Sequence, residues 1–152
     1  LSYGPWGPDV TITGVHAQGT ITHDRLEARI GRIRASSSIQ PRLRERSILR
    51  ARAGSRIHVE VTLQPLDGTD PIVSTLDLRV PRSARGDRPL RFRGGRDRGW
   101  VPAASSLSEL IMELNGGEHR NDLIVTGLGH GLSREQSMIV KGAATLTIRA
   151  IR

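Results

Sequence analysis

Eight arginines fall between Arg79 and Arg98, the densest run of side chains in this sequence with a recognisable chemistry. Guanidinium groups pair with phosphate or carboxylate oxygens through two parallel hydrogen bonds and stack on flat rings. Within the run, Arg91, Arg93, Arg96 and Arg98 surround Phe92, and Phe92-Arg93-Gly94-Gly95 forms one unit of the RGG type. These four are the candidate polyanion-binding residues, with nucleic acid as one such ligand. A plainer reading stands beside this one. The arginines divide between a strand face and two loops, whereas RGG binders repeat the unit many times, so a solvated basic surface also accounts for them.

Other motifs carry less. Arg85-Gly86-Asp87 is the tripeptide read by integrins, but its residues suit a turn and arise by chance in an Arg- and Gly-rich chain. His16, His23, His58, His119 and His130 show no HExxH and no His pair at helical spacing. Their nearest cluster is His119, Asp122 and His130, on either side of an expected strand. Ser36, Ser37 and Ser38 sit in an expected loop with no adjacent base, and no GxSxG elbow occurs. GLGHGL lacks both Walker spacing and the GxGxxG frame. The sequence therefore assigns no catalytic residue, no metal ligand and no cofactor.

The elements that must position these groups are mostly strands. Val10, Ile12 and Gly14 alternate with threonines, and Leu26, Ala28 and Ile30 repeat the pattern, with Gly31 a bulge site. Ala35 to Arg46 reads as a long loop and Ser47 to Arg52 as a short strand before a turn at Ala53-Gly54-Ser55. Ile57, Val59, Val61 and Leu63 then alternate with His58, Glu60 and Thr62, the clearest strand of the chain. Asp67-Gly68 turns it into an antiparallel partner whose Leu76, Leu78 and Val80 face the core. A short strand at Leu90 to Phe92 follows the basic loop after Pro81.

One helix interrupts this order. Ser106 and Glu109 have capping-box spacing, Leu107, Leu110, Ile111 and Leu114 form one apolar stripe, and Asn115-Gly116-Gly117 closes it. Leu123 to Val125 is a buried strand, Gly127 to Glu135 a Gly-rich turn, and Met138 to Ile151 one or two final strands. The architecture implied is mainly β: an immunoglobulin-like β-sandwich of about seven or eight strands with one inserted α-helix, a barrel fitting the same pattern less well. Leu1 to Pro8 reads as a linker or tether, and Asp9 to Arg152 as a single β-rich domain.

Composition narrows the function classes. The 152 residues suffice for one domain with a real core, built from Val, Ile, Leu and Ala because only four residues are aromatic. Cysteine is absent, which excludes disulfides and thiolate chemistry. The net charge of +8 is almost wholly arginine, Lys141 being the one lysine, and allows weak non-specific polyanion binding. No run approaches the ~18 apolar residues of a membrane helix.

The order of elements resembles that of a known family. A strand ending in ARI, a Gly turn into the strand from Gly54 to Leu63, a Gly-centred hairpin, Val80-Pro81, Leu90-Arg91-Phe92, the helix SLSELIMELN and the string RNDLIV resemble the non-catalytic C-terminal region of bacterial SpoIVB-like serine peptidases, in particular large exported members. The likeness spans Asp9 to Arg152 and is most distinctive from Ser106 to Val125. The family's catalytic serine lies in a GMSGSP-type string, which this chain lacks, so no catalytic residue carries over. The resemblance implies an accessory or interaction domain of an exported or cell-envelope protein, following a peptidase domain in a longer chain. Its partner would be that peptidase domain or another protein.

Overall fold

The computed structural model describes residues 26–96, 118–129 and 132–151. The expected linker, the strand expected at Val10 to Gly14 and the helix expected from Ser106 lie outside the described residues. Ten strands run in chain order: β1 (Glu27–Ser37), β2 (Arg44–Glu45), β3 (Ile48–Arg52), β4 (Arg56–Pro65), β5 (Ile72–Arg79), β6 (Gly86–Gly94), β7 (Asp122–Thr126), β8 (Leu132–Glu135), β9 (Ile139–Lys141) and β10 (Ala143–Ile151). The described residues are mainly β, in two five-stranded sheets.

The first sheet has the order β2-β1-β4-β5, with β9 also paired to β1. The hairpin of β4 and β5 is the one that Asp67-Gly68 predicts, and Gly68 has φ +81°, the left-handed backbone such a turn demands. Along β1, Ala28 and Ile30 point inward, and so do Ile33, Ala35 and Ser37. These two sets differ in phase by one residue. The register against β4 shifts between Ile30 and Ile33, so the bulge expected at Gly31 inserts the extra residue that keeps both halves of the strand facing the core. Leu26, expected to share this face, is exposed, because the strand begins only at Glu27.

The second sheet has the order β3-β10-β6-β7-β8. Leu49, Leu90, Phe92, Leu123, Val125, Leu146 and Ile148 bury its inner face against Ala28, Ile33, Val59, Val61, Leu63 and Leu76 of the first, in a single apolar cluster. Each fully buried side chain of this size contributes about 1.5–3 kcal/mol of hydrophobic stabilisation.

Three sequence expectations need correction. The segment from Ala35 to Arg46 is not one loop: β1 runs on to Ser37, and Arg44–Glu45 pairs with Ala35 and Arg34. Small side chains hide this, since Ala35 is fully buried yet carries little apolar signal. Gly127 to Glu135 is not wholly a turn, because Leu132–Glu135 pairs with β7 as an edge strand, exposed along its length and so without alternation. β6 extends well beyond Leu90 to Phe92; its first residues, Gly86 to Pro89, pair with β10 while exposed.

Between the sheets, the chain changes side at Gly142. Lys141 ends β9, which runs parallel to β1, and Ala143 opens β10 in the other sheet, with Gly142 at φ +86° between them. At this crossing β6 passes so close that a Cβ on Gly94 would lie 1.8 Å from the Val140 carbonyl oxygen. Side chains also tie sheet edges together. Ser37 Oγ donates to the Arg50 carbonyl (2.6 Å), and the Arg50 N–H donates to Gln40 Oε1 (2.9 Å), joining β1 to edge strand β3. Gln136 Nε2 donates to Ser74 Oγ (3.2 Å) and Arg134 to the Thr75 carbonyl, joining the β8 side to β5. Engaged edges resist pairing with a second chain.

Candidate functional site

The structure separates the four arginines singled out by sequence. Leu90 and Phe92 point into the core, so Arg91 and Arg93 project from the outer face of β6, about 6.6–7 Å apart by strand geometry. Arg91 is exposed and makes no side-chain hydrogen bond or ion pair among the described residues. Arg93 is already committed: Nη1 donates to Glu118 Oε2 (2.8 Å) and Nη2 to Glu118 Oε1 (2.6 Å). These bonds raise the Arg93 pKa above its ordinary value, against a smaller opposing effect of burial. Arg96 is exposed beyond the end of β6, beside a hollow of about 390 Å³ that it shares with Glu27, Arg120 and Lys141. Arg98 lies outside the described residues.

The integrin-type tripeptide is not free. Gly86 opens β6, and the Asp87 carboxylate takes Arg149 on both oxygens, Nε at 2.7 Å and Nη2 at 2.8 Å. Those bonds hold the Asp87 carboxyl below its ordinary range. Asp122, from the expected His119 cluster, is buried, and its carboxylate accepts the His119 backbone N–H at 2.9 Å. It therefore closes a turn. His16, His23 and His130 lie outside the described residues, among which no group of three His, Asp or Glu side chains is placed to hold a metal ion.

Ser36 corrects a further expectation. It lies in β1 directly opposite His58, which is opposite Asp77 in β5, so the three form one row across three strands. His58 Nδ1 meets Asp77 Oδ1 at 3.0 Å. The other ring nitrogen lies 4.0 Å from Glu60 Oε1, and Arg34 holds the second oxygen of Glu60. No hydrogen bond joins Ser36 to His58, and the imidazole is set between two carboxylates on an exposed sheet face. Such a row sets polar groups against one another across strands and stabilises their pairing by some tenths of a kcal/mol per pair. Part of it follows from sequence, since a hairpin centred between Asp67 and Gly68 sets His58 opposite Asp77. The Ser36 position does not, because it depends on the extra residue of the β1 bulge.

Comparison with family models, curated proteins and solved structures finds no match to this chain. Among the described residues the surface offers arginines without a partner beside paired ones, and cross-strand polar pairs on the outer face of the first sheet.

Proposed function

We propose that this chain is a non-catalytic accessory domain that binds a protein partner, built on an immunoglobulin-like β-sandwich plan with one inserted helix from Ser106. On this reading it follows a SpoIVB-like peptidase domain in an exported or cell-envelope protein. The observation that carries the interaction reading is the division of the fold into a single shared core and outward faces whose arginines are only partly neutralised. The peptidase attachment is supported by the sequence resemblance, strongest at Ser106 to Val125. The coding sequence upstream of Leu1 tests it: a GMSGSP-type string is expected there, and a frame without one would overturn the attachment. The chain alone is expected to leave casein and simple esters intact. Turnover that copurifies with it and disappears on a single Ser or His substitution would overturn the non-catalytic reading.

A second reading is a basic module for nucleic acid or another polyanion, which Arg91, without a partner among the described residues, and the exposure of Arg96 favour. Each phosphate neutralised on a duplex contributes about −0.9 to the slope of log affinity against log salt. With Arg93 held by Glu118, the expected slope is shallower than four arginines would give.

A further inference from the structure

The arginine run divides at Pro89, and its first half meets arginines from elsewhere in the chain. The β3–β4 turn packs against the β5–β6 connection: the Gly54 N–H donates to the Val80 carbonyl and the Val80 N–H to the Ser55 carbonyl, both at 2.9 Å. Arg79 Nε donates to the Gly54 carbonyl, and the stem of Arg82 lies so close over Gly54 that an added Cβ would stand 3.1 Å from its Cγ. One end of the fold thereby gathers Arg52 and Arg56, which flank the β3–β4 turn, with Arg79, Arg82, Arg85 and Arg88, which run from the end of β5 to the start of β6, all exposed. Two carboxylates near this end among the described residues already have partners, Asp87 in Arg149 and Asp77 in His58. Beside Arg88 lies a hollow of about 170 Å³ lined by Pro81 and by the buried Ala84 and Leu128.

We infer that this end is a docking surface for an acidic peptide segment carrying an apolar side chain among its carboxylates. The inference rests on the interaction-domain reading and supplies the partner's chemistry. Carboxylate recognition has a precedent within the same end, where Arg149 grips Asp87 through two parallel bonds. The hollow, with Pro81, Ala84 and Leu128 in a lining that also holds Ser83 and Arg88, accepts an apolar side chain that a nucleic-acid backbone does not offer. Among the described residues the one phenyl ring, Phe92, is fully buried, so this end presents no Phe, Tyr or Trp side chain from those residues on which a base could stack.

The test is fluorescence anisotropy of the full chain with a labelled Asp/Glu-rich peptide containing a central leucine, at low and physiological salt. The comparison probes are the same peptide with serine for leucine and an oligonucleotide of equal charge. Replacing Arg82, Arg85 and Arg88 together by Gln should weaken peptide binding about tenfold, as should Arg52→Gln with Arg56→Gln, whereas Arg91→Gln with Arg96→Gln should change it less than about twofold. The serine peptide should bind more weakly than the leucine peptide. A thermal melt confirms folding, and if one variant set fails to fold the other decides. Tighter binding of the oligonucleotide, equal loss in the Arg91/Arg96 variant, or no peptide binding even at low salt would overturn the inference. None of these outcomes depends on a peptidase domain upstream, so a failure here is distinct from a failure of that attachment.

Discussion

Arg93 and Glu118 meet fork to fork, at 2.8 and 2.6 Å, and so fasten the approach to β7 onto the outer face of β6. Both side chains remain about one-third exposed, at 33% and 34%, so solvent screening limits the stabilisation. Arg93→Ala is expected to cost about 1 kcal/mol or less in denaturant unfolding. A double-mutant cycle with Glu118→Ala should give a positive coupling within that range. No coupling would mean that the pair contributes nothing in solution.

Ser37 is a stronger position despite its size. Its hydroxyl donates to the Arg50 carbonyl and accepts the Gln40 N–H at 3.1 Å, on a residue only 8% exposed. Ser37→Ala leaves backbone groups without partners at the β1–β3 junction and should cost about 1–3 kcal/mol. Chemical denaturation measures this. A loss near zero would show that water replaces the hydroxyl.

Glycines at two places separate steric cost from backbone cost. At Gly68 an added Cβ meets no atom within 4 Å, so Gly68→Ala carries only the left-handed backbone penalty, about 1–2 kcal/mol. At Gly94 the added carbon collides with the Val140 backbone, which cannot rotate away. Gly94→Ala should cost about 3 kcal/mol or more, or prevent folding. Equal melting temperatures for the two variants would mean that β6 and β9 cross more loosely.

Acid should weaken the Asp87–Arg149 contact. Because Arg149 lowers the Asp87 pKa from its ordinary 3.8, the folded state binds fewer protons than the unfolded state there. The contribution is present above the ordinary carboxylate pKa and is lost as pH falls through the lowered folded value. Asp87→Asn should therefore melt slightly below wild type at neutral pH, and the gap should close at pH below about 4. A gap that persists into stronger acid would assign the effect to something other than the ionised pair. Arg149, its own pKa raised by Asp87, stays charged throughout this window.

Strong alternation made β4 readable from its residues, and Asp67-Gly68 made the hairpin and its His58–Asp77 pairing readable with it. β2 and β8 escaped because exposed strands of two and four residues carry no hydrophobic period. The site followed the same logic. The arginine run is visible as composition, but strand alternation and Glu118 decide that Arg93 is paired while Arg91 has no partner among the described residues. The meeting of Arg52 and Arg56 with Arg79 to Arg88 depends on a turn and a connection brought together from different parts of the chain. No local pattern encodes that contact.

The crossing at Gly142 also sets a timetable. β9 pairs Glu27 with Ile139, and β10 pairs Ile48 with Thr147, so strands made early are completed by strands made late. Loop-closure entropy must be met before such contacts form, and folds of this kind take milliseconds to seconds. During synthesis, the edge of β1 and the whole of β3 wait uncovered until residues 139–151 have left the ribosome. From the emergence of β3 to that of β10 the nascent chain is exposed to mispairing, and its yield should depend on whatever shields it over that interval.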